Sequence, residues 1–266
     1  MMKPLAAIPS EVVRNIRGVF CDIDDTLTSA GKLTARAYAA LERLHAAGKL
    51  VVPITGRPAG WCDHIARMWP VDAVVGENGA FYFYYDAARK KLSQCFLFDA
   101  QTRAANREKM IAVRERILSD VPGCALASDQ LYREADLAID FCEDVPPLAF
   151  AEVDRIVQIM HAAGMTAKIS SIHVNGWFGH YDKLGMTRRL MLERYRVDLE
   201  RECAQYLFIG DSPNDAPMFK FFPNSVGVAN VADFGARLTD APAYVTNARS
   251  GDGFVEAVAR ILDAAG

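Results

Sequence analysis

The constraint that most limits the fold of this 266-residue chain is an alternation of apolar runs with helical patterns near its N-terminus. Apolar runs predict strands at residues 18–23, 50–55 and 72–75, and amphipathic segments between them predict helices at residues 34–47 and 58–68. A β-α-β-α-β order favours parallel strands joined by right-handed connections. The sequence therefore predicts an α/β protein with a doubly wound, Rossmann-like parallel sheet.

The middle of the chain follows another pattern. Aromatic, β-prone runs at residues 81–85 and 91–98 predict a hairpin, and predicted helices at 102–119 and 147–163 then alternate with short strand-like runs. The parallel pattern returns with a helix predicted at 183–195. Further elements are predicted at residues 124–128, 136–141, 165–170, 172–174, 206–209, 216–222, 225–229, 233–238 and 243–246, with a last helix from residue 253.

This change of pattern predicts two domains. We expect residues 1–85 plus 177–266 to form the α/β core and residues 86–176 to form an inserted α+β cap domain.

Composition narrows the functional classes. The net charge of −3 comes without a block of Lys or Arg, so nucleic acid is not an expected partner. No apolar run has membrane-spanning length, and the N-terminus lacks a signal-peptide core. The six cysteines are scattered and form no C-x-x-C, as is typical of reduced thiols. We therefore expect a cytoplasmic protein without membrane partners.

The core strands share one property: each breaks into polar residues at its carboxyl end. These residues are Asp22 and Asp24, Thr55, Asn78, and Asp211 with Asp215. In open α/β sheets the ligand crevice lies outside those ends, so we expect these side chains to converge. Acids without clustered Cys or His form an oxygen-ligand site, which suits Mg²⁺ better than zinc or copper.

Simpler interpretations exist for each part. Residues 22–26 could form an Asp-rich surface turn, and residues 210–215 could form a loop with a helix N-cap. Lys183 could be a solvated surface lysine, or a cation that neutralises charge between a nucleophile and a phosphate. Thr55, Gly56 and the N-terminus of the following helix offer a hydroxyl and free N–H groups, which suit a phosphate oxygen.

Taken together, these motifs resemble those of the haloacid dehalogenase superfamily of phosphotransferases. The D-x-D-x-T motif matches Asp22 to Thr26, the apolar strand ending in Ser or Thr matches residues 51–55, the lysine matches Lys183, and G-D-x-x-N-D matches residues 210–215. An insert between the second and third motifs resembles the subgroup with a large α/β cap, which includes Cof-like and sucrose-phosphate phosphatases. Asp25 departs from the Gly that is frequent there.

The resemblance implies a mechanism. Asp22 would attack phosphorus and form an aspartyl-phosphate, and Asp24 would act as general acid and then as general base. Thr55 and Lys183 would bind the phosphoryl oxygens. The predicted ligands of Mg²⁺ are Asp22, Asp24 through its backbone carbonyl, Asp211 and Asp215. The predicted substrate-binding residues are Thr55, Gly56, Arg57, Asn78 and Lys183.

The cap would determine the substrate, which we expect to be a small phosphorylated metabolite, either a sugar phosphate or a phosphoglycoside. Polar residues near the predicted cap edges could contact it, although the simplest interpretation of each is an exposed sheet or loop side chain. These residues are Glu77, Asn78, Arg133, Lys168, His173 and Asn175. Two alternatives stay open: a phosphomannomutase-like transferase, and a non-catalytic binding protein on the same fold.

Overall fold

The computed structural model describes residues 2–263. Its strands are β1 (Lys3–Pro4), β2 (Gly18–Cys21), β3 (Thr28–Ser29), β4 (Lys32–Leu33), β5 (Leu50–Pro53), β6 (Val74–Gly76), β7 (Phe81–Asp86), β8 (Lys91–Phe96), β9 (Ala125–Leu126), β10 (Leu137–Asp140), β11 (Thr166–Ile169), β12 (His173–Trp177), β13 (Tyr206–Gly210), β14 (Val226–Gly227) and β15 (Tyr244–Val245). Its α-helices are α1 (Ser10–Arg14), α2 (Ala35–Ala46), α3 (Ala59–Met68), α4 (Ala100–Asp120), α5 (Phe150–Ala162), α6 (Lys183–Tyr195), α7 (Leu199–Glu202), α8 (Ala216–Phe221) and α9 (Ser250–Asp263).

The predicted parallel sheet is present. Six strands pair in the order β1-β15-β14-β13-β2-β5, and every pairing is parallel. Strand β2 is second from one end of the sheet, between β13 and β5, and its four residues are buried. The sheet therefore holds the residue after β2 at its carboxyl edge, between the ends of β13 and β5.

Both faces of this sheet are covered, which confirms the doubly wound α/β class. Val19 and Cys21 of β2 pack into a core with residues of α2, α3 and α9. Phe20 faces the other side and packs with residues of α6 and α8. This alternation follows from the two-residue period of a strand.

The strand predicted at residues 72–75, which is β6, joins the parallel sheet only in part. Strand β6 contacts the six-stranded sheet through one parallel bridge, between Ile54 and Val75. It pairs along its length with β7 in antiparallel fashion, and β7 pairs with β8. Strands β6, β7 and β8 thus form one three-stranded antiparallel sheet. The rings of Phe81, Phe83 and Phe96 pack together on it and join the main core.

The predicted insert contains a separate sheet. Four antiparallel strands pair in the order β11-β12-β10-β9. Apolar residues of α4 and α5 pack on this sheet in a core of their own, with Trp177 fully buried in it. The division into two domains stays a prediction. Because β8 pairs with β7, we propose moving its first boundary from residue 86 to the segment after β8.

Helix starts and ends follow local signals closely. Thr34 caps α2 by accepting the backbone N–H of Ala37 at 3.2 Å, and α6 spans the predicted residues. The last helix begins at Ser250, three residues before the predicted start. A 3₁₀ segment at Ala229–Arg237 replaces the short predicted helix near residues 233–238. In residues 2–263 no helix is long and apolar enough to cross a membrane.

Candidate active site

A cluster of three buried carboxylates lies at the carboxyl edge of the parallel sheet. Asp22, Asp211 and Asp215 each offer an oxygen atom, and these atoms lie within 4.8 Å of one another. Asp22 follows β2 directly and the other two follow β13. The neighbouring strands β2 and β13 therefore bring together acids that are far apart in sequence.

Local hydrogen bonds orient two of these acids. Asp215 Oδ2 accepts the backbone N–H groups of Asp211 at 3.0 Å and Ser212 at 3.3 Å. Asp211 accepts the Thr26 hydroxyl at 3.2 Å and the Asn230 side-chain amide at 3.2 Å. The carboxylates are thus held in place by groups from three separate loops.

Burial makes this cluster costly to ionise. Burial raises the pKa of Asp22 to about 8, with Lys183 lowering it and the charges of Asp215 and Asp24 raising it. The pKa of Asp211 is raised well above its ordinary value, first by burial and then by Asp22 and Asp215. A bound cation would favour the ionised forms of these carboxyls.

Lys183 is the cation that the structure places in the cluster. Its ammonium group donates to Asp22 Oδ1 at 2.6 Å and to Asp215 Oδ1 at 2.7 Å, and its side chain is 1% exposed. Burial disfavours the charged ammonium, but Asp215 and Asp22 together raise the pKa of Lys183 above its ordinary value. The solvated-surface interpretation of Lys183 is therefore wrong.

Close packing of the backbone fixes the position of Lys183. Asp182 caps α6 by accepting the backbone N–H of Gly185 at 2.7 Å, so Lys183 is the first residue of the helix. Gly79 has a positive φ of 108°, and a Cβ atom there would lie 2.0 Å from the Asp182 carbonyl oxygen. Only glycine permits this approach between the turn after β6 and the start of α6.

Thr55, Gly56 and Asn78 lie together beside this cluster. Thr55 Oγ1 accepts the backbone N–H of Arg57 at 3.0 Å, and the Asn78 backbone N–H donates to the Thr55 carbonyl at 3.0 Å. Asn78 Oδ1 accepts from Asn214 at 3.3 Å, whereas the buried Asn78 Nδ2 has no partner within residues 2–263. A Cβ at Gly56 would lie 3.1 Å from that nitrogen. The Asn78 amide is therefore an available donor next to residues 55–57, which we call the glycine loop.

Arg57 connects Asp24 to the predicted cap. Its Nε donates to both Asp24 carboxylate oxygens at 3.0 Å, and Nη2 donates to Asp24 Oδ1 at 2.8 Å. The same guanidinium reaches Asp129 at 3.3 Å and Glu143 at 2.5 Å, both in the insert. Asp24 is thus outside the three-carboxylate cluster, and its side chain is oriented by Arg57.

Comparison with known proteins shows which proteins this chain is similar to. A family model described as haloacid dehalogenase-like hydrolase matches residues 19–104, which include β2, β5 and the residues Asp22, Asp24 and Thr55. Over these residues the chain is similar to the haloacid dehalogenase-like hydrolases. A phosphoglycolate phosphatase of Natronomonas pharaonis is 28% identical over 247 residues, covering 91% of this chain and 96% of that protein.

Solved structures agree with the haloacid dehalogenase-like fold. A Thermoplasma acidophilum protein superposes with a TM-score of 0.68 at 19% identity, covering 93% of this chain and 98% of that one. A Synechocystis sucrose-phosphatase, solved with sucrose and phosphate, superposes with a TM-score of 0.61 at 15% identity, covering 92% and 98%. Each of the two superpositions covers more than nine-tenths of this chain, so the likeness in fold includes the insert as well as the core.

The three-carboxylate cluster could hold a divalent metal ion. All of its side-chain donors are oxygen atoms, which suit hard cations. Thr26 and Asn230 already orient Asp211, as supporting residues do around metal ligands. Asp24 contributes no side-chain atom to this cluster.

The polar residues at the cap edges are mostly buried, so the expectation of exposed side chains was wrong for five of the six. Glu77, Asn78, Arg133, His173 and Asn175 are each at most 5% exposed. Lys168 is half-buried.

Two of these residues, Arg133 and Glu77, join the core to the insert, and Asn175 holds the partner of Arg133. Arg133 pairs with Asp136 at 3.0 Å and donates to the Gly56 carbonyl at 2.7 Å. Asn175 donates to Asp136 at 3.0 Å, and Glu77 accepts the backbone N–H groups of residues 134–136. We call Glu77, Arg133, Asp136 and Asn175 the core–cap junction, and its Arg133 contacts Gly56.

Three residues near the site were not identified from the sequence: Asp129, Glu143 and Asn230. Asn230 closely follows β14, so the rule that selected the other strand ends would have indicated it. Asp129 and Glu143 lie in irregular segments of the insert, and only their contacts with Arg57 bring them to the site. No local pattern marks these two residues.

Proposed function

We propose that the protein is a Mg²⁺-dependent phosphatase that hydrolyses a small phosphate monoester, a sugar phosphate or a phosphoglycoside, through an aspartyl-phosphate at Asp22. The observation that carries the proposal is the buried contact of Lys183 with Asp22 and Asp215 beside Thr55 and the Asp24–Arg57 pair. A nucleophile, a phosphate-binding cation and a separate acid are the groups that phosphoryl transfer to a carboxylate needs. The relatives named phosphoglycolate phosphatase support a phosphoric monoester hydrolase.

The metal site would be formed by Asp22, Asp211 and Asp215, with the Asp24 carbonyl as a further ligand. A bound Mg²⁺ would neutralise charge on the phosphate and keep Asp22 ionised. Thr26 and Asn230 would hold Asp211 in place for it.

In the first step, an oxygen of Asp22 attacks phosphorus and the bond between phosphorus and the ester oxygen breaks. Lys183, the Thr55 hydroxyl, the Gly56–Arg57 backbone and the free Asn78 Nδ2 bind the phosphoryl oxygens. Asp24 donates a proton to the leaving oxygen, which departs as an alcohol.

In the second step, Asp24 removes a proton from a water molecule whose oxygen attacks phosphorus. The bond between phosphorus and Asp22 breaks, inorganic phosphate forms, and Asp22 is regenerated. Arg57 stabilises Asp24 as a carboxylate at this stage, since three of its contacts with the Asp24 oxygens are 3.0 Å or shorter.

The substrate is proposed to be a small phosphorylated metabolite of the cytoplasm. All six cysteines, which lie in the part of the chain that is described, are free thiols, as suits a reducing compartment.

The experiment is phosphate release over a panel of phosphosugars, phosphoglycosides, nucleotides, flavin mononucleotide and pyridoxal phosphate, with Mg²⁺ or with EDTA. We expect release that requires Mg²⁺ and is lost in Asp22→Asn. Asp63→Asn, on an exposed part of α3, is the control and should keep full activity. Activity in Asp22→Asn would refute the covalent route, and return of the phosphoryl group to the sugar would indicate a mutase.

A further inference from the structure

A cavity of about 270 Å³ lies between the flap hairpin and the insert. The flap hairpin is β3 and β4, which follow the Asp22–Thr26 loop. The cavity adjoins the proposed general acid, so under the proposed function it is where the leaving group of the ester would lie. Its polar lining consists of Asp24, Asp25, Thr28, Arg57, Glu143 and Ser171.

The charge of this lining is unbalanced. Asp24 carries the proton that it donates to the leaving oxygen, and the carboxylates of Asp25 and Glu143 then still face one guanidinium, that of Arg57. Lys183, the cation of the phosphoryl site, is engaged by Asp22 and Asp215 and does not line this cavity. The leaving group therefore meets a negative surface.

Arg57 has no free donor for an anionic leaving group. Its Nε is shared between the two Asp24 oxygens, Nη1 donates to Asp129 and to Glu143, and Nη2 donates to Asp24 and to Glu143. The Trp61 ring covers one face of the guanidinium, with its centroid 4.3 Å from the central carbon. The side chain is 5% exposed, so neither solvent nor ligand has easy access to it.

Glu143 is held in position and kept ionised. Asp140, itself buried, accepts the backbone N–H groups of Cys142 at 2.9 Å, Glu143 at 2.7 Å and Asp144 at 2.8 Å, which fixes the turn. His173 Nε2 lies 2.9 Å from Glu143 Oε2. Burial would raise the pKa of Glu143, but contacts with His173 and Arg57 outweigh it and lower that pKa to about 2.

We propose that Glu143 is a specificity-determining residue that selects against phosphate esters with an anionic leaving group. The substrate would then release an uncharged or cationic hydroxyl compound. The inference rests on the proposed function, because it places the leaving group beside Asp24. It also sets this chain apart from its phosphoglycolate phosphatase relatives, whose named substrate carries a carboxylate.

Three esters of nearly equal size test the proposal: 2-phosphoglycolate, 2-hydroxyethyl phosphate and phosphoethanolamine. Their leaving groups are anionic, uncharged and cationic. We expect kcat/KM for the uncharged and cationic esters to exceed that for 2-phosphoglycolate by about tenfold or more. Two unit charges about 4 Å apart change an equilibrium by about fivefold in bulk water and by about a thousandfold near a protein surface, and tenfold lies towards the lower end of this range.

The decisive variant is Glu143→Gln, which keeps the shape of the side chain and removes its charge. It should raise kcat/KM for 2-phosphoglycolate by about tenfold and lower it for phosphoethanolamine. Glu134→Gln is the matched control, since Glu134 is also a glutamate of the insert but pairs with Arg103 and Arg107 away from the cavity. It should leave the order of the three esters unchanged.

Binding of the three esters to Asp22→Asn, measured by calorimetry with Mg²⁺, separates this inference from the proposed function. Absence of turnover in the unsubstituted protein would contradict the proposed function, yet weakest binding of 2-phosphoglycolate would still support charge selection. Two results would overturn the role of Glu143. One is a preference for 2-phosphoglycolate in turnover or in binding, and the other is an order of the three esters that Glu143→Gln leaves unchanged.

Discussion

Replacing Glu77 should destabilise the protein more than replacing any exposed glutamate. Glu77 is fully buried between the core and the insert. One carboxylate oxygen accepts the backbone N–H of Ala59 at 2.9 Å, and the other accepts those of Ala135 at 2.6 Å and Asp136 at 3.2 Å, with the Glu134 N–H shared between them. Glu77 thus satisfies the first turn of α3 and anchors residues 134–136.

The magnitude follows from these contacts. Glu77→Ala leaves four buried N–H groups without their acceptor, and each unsatisfied group costs about 1–3 kcal/mol. Because the contacts share one side chain and the site can relax, we expect a total loss of about 4 kcal/mol in the free energy of unfolding. Glu77→Gln keeps the volume but turns an NH₂ group towards some of these donors, so it should lose about 2 kcal/mol or more.

The effect should also depend on pH. Burial and then the charge of Asp136 raise the pKa of Glu77, Arg133 and the backbone N–H groups offset only part of this, and the resulting pKa is about 8. The folded state then binds more protons than the unfolded state between about pH 4.5 and 8. Stability from this group is present at low pH and is lost as pH rises through that range, by about 1.4 kcal/mol per pH unit. Gln cannot titrate, so the cost of Glu77→Gln should shrink as pH rises.

The assay is urea unfolding of the unsubstituted protein, Glu77→Ala, Glu77→Gln and the exposed control Glu108→Gln at several pH values between 5 and 8. The control should change stability by less than about 0.5 kcal/mol. A loss below about 1 kcal/mol in Glu77→Ala would refute the anchoring role. If the free energy of unfolding changed equally with pH in the unsubstituted protein and in Glu77→Gln, the N–H donors would outweigh burial in setting the pKa of Glu77.

Two other substitutions test the site itself. Lys183→Met leaves Asp22 and Asp215 buried without their cation, so we expect a loss of about 3–5 kcal/mol in EDTA, seen by urea unfolding, and at least a hundredfold loss of phosphate release. Intact stability would contradict the ion pairing. Asn230→Ala removes a donor to Asp211 and should raise the Mg²⁺ concentration for half-maximal rate by about 10–100-fold, with kcat at saturating Mg²⁺ nearly kept. An unchanged Mg²⁺ titration would argue against metal binding at Asp211.

Much of the fold could be predicted because its signals are local. Apolar runs and helical periodicity located β2, α2 and β5, and the order of these elements favoured parallel pairing. The same logic placed Asp22, Thr55 and Asp211 at one edge, since strand ends of a parallel sheet share a side. The sequence could not show that β6 would leave the sheet after one bridge, because β7 competes for its hydrogen bonds.

The core–cap junction could not be predicted because it depends on contacts between distant segments. Arg57 meets Asp129 and Glu143, which are 72 and 86 residues away along the chain. Glu77 and Arg133 look like exposed polar residues in sequence, since charged side chains are usually at the surface. They are buried here because partners from the other segment neutralise or hydrogen-bond them.

The most direct test of the central claim is to trap the covalent intermediate. Asp24→Asn should slow its hydrolysis more than its formation from an ester with a good leaving group, so the aspartyl-phosphate should accumulate in the presence of Mg²⁺. Acid quenching followed by borohydride reduction converts an aspartyl-phosphate to homoserine, which peptide mass spectrometry locates. We predict homoserine at position 22 in Asp24→Asn and none in Asp22→Asn. Turnover without any modified aspartate, or homoserine at another position, would contradict the account.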